Sequence, residues 1–327
     1  MENTTEERIK PKIDRHNLII WILGVTMLWY VGIFEFLGMV VFDWERSPIY
    51  KLFVNIGYMS DAVFFAYSFY LVTLMPFLGI IVYTMVTKRN RFVLRSLLPK
   101  HENNKVSVLL MGFLVGFVMN FGCIVCALAN GDIKLYLDFA LEQIPFYIFA
   151  FICVFIQSSS EEMWCRGFMY ERINVRYPLW VAILANGLFF AALHLLNPGV
   201  SVLPIMDIAI CGLSFSIAKW YTNSIWFVMG IHTTWNFTQN FLFGLPNSGL
   251  VSEASIFTLD AATAHDSLVY DVGFGVEGAF PAVLSDLLLG VVCLILAARK
   301  NRLGELLEKK SPEVVGDHSL QYTLPLR

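Results

Sequence analysis

Apolar runs long enough to cross a bilayer recur along this chain, and no other feature limits its fold as strongly. A hydrocarbon core is about 30 Å thick and takes about 20 helical residues to span. Eight stretches approach or exceed that length: 17–41, 62–86, 106–129, 139–159, 179–195, 202–221, 225–243 and 280–298. Charged residues make up only 15% of the 327, where a soluble protein carries about 25%. Backbone polar groups in lipid must be satisfied within their own segment, so such runs become helices. The expected fold is therefore all-α, a polytopic membrane helical bundle with about eight transmembrane helices. Pro76 and Pro204 fall inside runs and are expected to kink them.

The distribution of Lys and Arg gives an independent check. With the N-terminus placed in the cytoplasm, all but three of the 23 Lys and Arg fall in inside segments; Arg46, Lys51 and Lys134 are the exceptions. The long loop 244–278 has neither residue type. This is the positive-inside pattern, and it puts both termini on the cytoplasmic side of a multi-pass protein. The first 16 residues lead into the first run with no small-residue cleavage signal, which implies a retained span rather than a removed signal peptide.

Several function classes drop out. A net charge of -3 gives no basis for nucleic-acid binding. The six cysteines lie in or beside apolar runs, where Cys acts as a small hydrophobe. Cys123 and Cys126 have metal-like spacing but no second pair to complete a site. The chain shows no fixed-period repeat, and residues 1–135 carry little polar chemistry.

Polar chemistry concentrates in three places after residue 140. A charge at mid-bilayer costs a few kcal/mol even on the lenient insertion scale (about 2.5–3.5), so each needs a reason. In Gln157-Ser-Ser-Ser-Glu161-Glu162-Met-Trp-Cys-Arg166, Glu162 and Arg166 are i,i+4 neighbours and can pair. Glu161 points about 100° away, towards different surroundings. An ordinary juxtamembrane salt bridge is the bland alternative. Next, Phe190 and His194 share one helix face, with His194 near a helix end marked by Asn197-Pro198-Gly199. A lone His there is more often a hydrogen-bonded core residue than a catalyst. Finally, His232 and Asn236 lie one turn apart. Such a donor pair suits an oxyanion, or else ordinary helix–helix hydrogen bonding. Of the six histidines only His194 and His232 lie in spans, and the clustering of complementary polar types favours a site.

Taken in order, Glu-Glu-x-x-x-Arg, Phe-x-x-x-His and His-x-x-x-Asn resemble the CPBP family, which comprises the CAAX prenyl proteases of type II and the bacterial Abi, bacteriocin-processing and self-immunity proteins. The segment Gly273-Phe-Gly-Val-Glu277-Gly278 is similar to one common in bacterial members. The likeness covers roughly residues 140–290. It implies peptide-bond hydrolysis within the membrane. Glu161 with His194 would activate water; His232 and Asn236 would hold the oxyanion; Glu162 and Arg166 would fix the first carboxylate; Phe190 would pack beside His194. A carboxylate in a dry pocket is a stronger base than in water, which agrees with that role. The implied layout is a cytoplasmic segment 1–16, N-terminal transmembrane helices 17–135, a catalytic transmembrane core 136–298 and a polar cytoplasmic tail 299–327.

Members of that family have often been called metalloproteases, but the ligand types here favour glutamate-activated water with no cofactor. Zinc on Glu161, His194 and His232 is the alternative, weakened by the absence of a His-Glu-x-x-His pair and by Asn236, a poor zinc ligand. The expected partners are the lipid bilayer and a membrane-associated protein or peptide substrate. A bacterial plasma membrane is the expected location. A non-catalytic scaffold or a transporter using the same polar cluster is the rival class, although transporters favour internal repeats. At about 1.5 Å per residue, Glu161, His194 and His232 would not share one depth in straight full-length spans. For the remaining intramembrane acids, Glu35, Asp207 and Asp286, a satisfied bundle residue is expected over a catalytic one.

Overall fold

Helix α3 (Val106–Asn130) shows how this chain solves its packing problem. Leu110, Leu114 and Val118 recur at i,i+4 and are each more than half exposed, while Gly112, Gly116, Asn120 and Ala127 are buried on the other face. A helix whose large apolar side chains point outward and whose small residues point inward is built for lipid outside and close helix contact inside. The structure is a computed structural model that describes residues 18–27, 51–52, 55, 60–99, 103–308, 313–315 and 319–321. Segment 1–16, the first run beyond Met27, Glu35 and most of the tail after 308 lie outside the described residues.

The order of helices is α1 (Ile19–Met27), α2 (Asp61–Val86), α3, α4 (Leu141–Asn174), α5 (Leu179–Leu193), α6 (Val202–Thr222), α7 (Ile225–Phe237) and α8 (Phe280–Arg299). Five of these, α2, α3, α4, α6 and α8, are long and apolar enough to cross a membrane. Helix α5 is apolar but shorter, and α7 continues into a wide π turn, Thr238–Leu242. The protein is thus a mostly helical membrane protein, with five full-length candidate spans among the described residues. Two small antiparallel pairs depart from the all-α expectation: β1 (Leu135–Leu137) with β2 (Phe257–Leu259), and β3 (Glu313–Val315) with β4 (Ser319–Gln321). The first pair, with Ser267 Oγ donating to Asp132 Oδ2 at 2.7 Å, ties the loop 244–278 back to the end of α3.

Two helix ends bear on where the polar residues sit. The fourth run continues as helix past Ser159, as the lack of proline before Pro178 leads one to expect, and α4 runs through a π segment, Met163–Met169, to Asn174. Glu161 therefore sits inside a long helix rather than at its edge. Helix α5 ends at Leu193, with His194 as its cap residue. Pro204 stands in the first turn of α6, where its missing N–H costs no hydrogen bond, so it does not kink the helix. Pro76 follows a break of π and 3-10 turns, Ala66–Thr73, in α2, and its carbonyl accepts the Trp164 Nε1–H at 3.1 Å.

Helix α7 is held against α3 through glycine. A Cβ on Gly112 would run into the Phe227 carbonyl, and one on Gly116 into the Ile231 carbonyl. Thr234 Oγ1 crosses the same interface to the Phe113 carbonyl at 2.8 Å. Since α7 carries His232 and Asn236, this contact sets their position. Gly116→Ala should lower Tm in detergent micelles by the equivalent of about 1–3 kcal/mol. Gly122→Ala, on the same helix with nothing within 4 Å of the added carbon, should leave it unchanged or slightly raised. Equal losses in the two variants would show that the close approach does not position α7.

Candidate active site

The geometry is built outward from one carboxylate. Glu162, fully buried on α4, accepts Arg166 Nη1–H at 2.9 Å and His232 Nδ1–H at 2.9 Å on the same oxygen, Oε1. Arg166 lies in the π segment and donates a further bond from Nη2 to the Gly212 carbonyl of α6 at 3.3 Å. The wide turn carries the Cys165 carbonyl, which takes the Tyr170 N–H and the Asn186 Nδ2–H of α5, the latter at 2.5 Å. Three helices are thereby registered on this turn. Such π turns recur at functional sites because they re-aim side chains.

The His232 ring is met from both sides. Glu162 takes its Nδ1, and Glu161 Oε2 faces its Nε2 at 3.8 Å. The two adjacent carboxylates thus reach one imidazole, which corrects the expectation of separate surroundings. Glu162 contacts His232 directly, and Arg166 reaches it through Glu162. Phe190 of α5 stands between the groups: its ring centroid lies 4.9 Å from that of His194 and 6.1 Å from that of His232. The Arg166 guanidinium carbon is 4.4 Å from the Phe190 centroid and 5.5 Å from that of Phe215, a cation–π arrangement. His194 Nδ1 is 2.8 Å from the Phe190 carbonyl. A carbonyl only accepts, so the proton is on Nδ1, and Nε2 of the neutral ring presents a lone pair.

A chain of amides runs from this cluster to the outer loop. Gln157 Nε2–H donates to Glu161 Oε1 at 2.6 Å, Asn236 Nδ2–H to Gln157 Oε1 at 3.2 Å, and Asn247 Nδ2–H to Asn236 Oδ1 at 3.2 Å. Asn247 Nδ2 also donates to Glu277 Oε1 at 3.0 Å. Because carboxylates at both ends accept, the direction of every amide between them is fixed. Asn236 keeps one Nδ2 hydrogen not used by Gln157. Glu277 takes three more donors: Trp235 Nε1 at 2.8 Å, and the Ser248 N–H and Oγ at 2.7 and 3.0 Å. Burial pushes the Glu277 carboxyl above the usual glutamate range, against the pull of the Ser248 and Trp235 donors.

A cavity of about 40 Å³ lies among these elements, lined by Phe190, His194, His232 and Asn236 together with Trp235, Ser248 and Glu277. That volume holds a few water molecules. Asp207 and Asp286 line it too. The expectation of a satisfied bundle residue fails for Asp207, whose Oδ1 is buried with no hydrogen-bond partner. Of the functional candidates that motif reading did not name, Glu277 was visible only as part of a glycine-rich segment, Gln157 as a polar residue one turn before Glu161, and Asn247 gave no signal.

Zinc hydrolases need three protein ligands at about 2.0–2.2 Å. Among the described residues no three His, Cys, Asp or Glu side chains are grouped to hold an ion, and no step below runs through zinc.

Replacing Glu277 by Gln should lower Tm at low pH by about 1–3 kcal/mol equivalent, because amide nitrogen cannot accept from Ser248. A carboxyl raised by burial contributes stability below its unfolded pKa and loses it as pH rises through the folded value. The gap between wild type and Glu277→Gln should therefore narrow as pH rises above the ordinary glutamate value of about 4.3; a gap that widens would contradict the buried-acid assignment.

Comparison with curated proteins and with solved structures returned no match. A family model did match, over residues 142–238, under a third of the chain. That stretch begins at α4 and ends just past α7, and it contains Glu161, Glu162, Arg166, Phe190, His194, His232 and Asn236. The matching model is Rce1-like, the type II CAAX prenyl endopeptidases, the same group that the three motifs resemble.

Proposed function

We propose that this protein is an endopeptidase working inside the membrane, with its catalytic core in residues 136–298 and both termini in the cytoplasm. One observation carries the reading: His194 at the end of α5 and His232 and Asn236 of α7 line one small cavity, while Glu161 and Glu162 of α4 flank the His232 ring. Hydrolysis of an amide needs a base for water, a donor set for the oxyanion and a proton for the leaving amine.

Glu161 is held by Gln157 through one oxygen, and its other faces His232. With His194, whose Nε2 presents a lone pair, it takes the proton from the attacking water. The oxygen of that water bonds to the substrate carbonyl carbon, and the carbonyl electrons move onto oxygen. The free Nδ2 hydrogen of Asn236 and the Nε2 position of His232 are the donors for that oxyanion. His232 donates there only while it carries protons on both nitrogens, since Nδ1–H is already given to Glu162. As the intermediate collapses, the C–N bond breaks and the proton held by Glu161 and His194 passes to the departing amine. Arg166 and Glu162 position His232, and Phe190 packs the two imidazoles at fixed angles. A membrane-associated protein or peptide is the substrate class, and a bacterial plasma membrane the proposed setting.

Membrane peptides compared between cells carrying wild type and Glu161→Gln test this reading. Wild-type cells should show cleaved products that Glu161→Gln and His194→Ala reduce by about 100-fold or more, and Asn236→Ala by about 100- to 1000-fold. Folding of each variant is checked by its Tm. Chelators should leave the cleavage intact. Identical peptides in all strains would favour a partner-binding scaffold, and stoichiometric zinc whose removal stops cleavage would overturn the metal-free mechanism.

A further inference from the structure

The hydrolytic groups fill only part of the cavity. Asp207 from α6 and Asp286 from α8 line the rest, each about 2% exposed. Asp207 Oδ1 is buried without a hydrogen-bond partner, and Asp286 is met by the thiol of Cys211. The guanidinium of Arg166 is committed to Glu162 and to the Gly212 carbonyl. Glu277, the third acid of the cavity, is supplied with four donors by Trp235, Asn247 and Ser248. The chain supplies Glu277 with donors at both oxygens and leaves Asp207 Oδ1 with none. An uncompensated buried carboxylate is costly, several kcal/mol even after relaxation.

We infer that Asp207 and Asp286 form a recognition subsite for a primary ammonium group of the substrate. The cavity of about 40 Å³ has room for a compact group such as an ammonium. An ammonium brings three donors, enough for Asp207 Oδ1 and for Asp286. The Trp235 ring lies in the same wall, and an aromatic ring attracts a cation placed over its face. An inorganic cation is disfavoured because no three acidic, His or Cys side chains among the described residues are grouped to hold one. Two sources supply this chemistry: a lysine side chain next to the cleaved bond, or the free amino terminus of a peptide. The inference rests on the protease reading only for the origin of the ammonium.

Binding is therefore measured without cleavage. Purified full-length protein in micelles is titrated with n-butylammonium, which mimics a lysine side chain, and with glycinamide, which mimics an amino terminus; sodium chloride at equal ionic strength is the control. Wild type should show a saturable rise in Tm with one of the two amines, and which one identifies the source. Asp207→Asn should weaken half-saturation by about tenfold, and Asp207→Asn with Asp286→Asn should abolish the response. Glu161→Gln should retain it. No amine response in wild type, or an undiminished response in the double variant, overturns the subsite and leaves the pair as protonated structural carboxyls. Retained amine binding with no peptide difference in Glu161→Gln cells would instead sink the protease reading alone.

Discussion

One oxygen of a fully buried glutamate organises the centre of this protein. Glu162 Oε1 accepts both Arg166 and His232, and neither charge of the pair has water to fall back on. Losing one partner from such a pair is strongly destabilising, about 3–5 kcal/mol, because the other is left charged and alone. The helices carrying these groups must therefore stay in register, and the neighbours are shaped to the same demand. Phe190 and Phe215 cover the guanidinium, and Gly212 on α6 offers it a carbonyl.

The second constraint is how closely helices approach. Gly112 and Gly116 let α3 touch the backbone of α7, and there is no driving force for apolar side chains to leave lipid for a helix contact; packing and hydrogen bonds must supply it. The amide chain from Glu161 through Gln157, Asn236 and Asn247 to Glu277 then extends the same rigidity out to the loop 244–278. The loop is consequently part of the cavity wall. Its lack of Lys and Arg, read in the sequence as a topological signal, also leaves the cavity's acids without a cation from that side.

Motif spacing carried a good deal of this. The i,i+4 pairing of Glu162 with Arg166 and the shared face of Phe190 and His194 follow from helix geometry alone, and both are present. Helical runs were legible from length and apolarity, and the continuation of the fourth past Glu161 from the lack of proline before Pro178. The π segment at Met163–Met169 was not legible, because it has no composition signature, whereas the end of α5 was marked by Asn197-Pro198-Gly199. The meeting of Glu161 and Glu162 on one ring was missed for a related reason: two residues 100° apart on a helix diverge at the backbone, yet long side chains can converge on opposite nitrogens of an imidazole.

Asp207 shows a limit of a different kind. In the sequence it looks like Glu162, an acid in an apolar run, and a bundle residue with partners was the sensible expectation for it. What separates the two is whether other helices bring donors, which depends on tertiary contacts no local pattern encodes. Glu162 receives an arginine and a histidine; Glu277 receives four donors; Asp207 Oδ1 receives none. Glu162 Oε2 is buried without a partner as well; the difference is that Glu162 is tied to Arg166 and His232 through its other oxygen, whereas Asp207 lines the cavity where a substrate would sit.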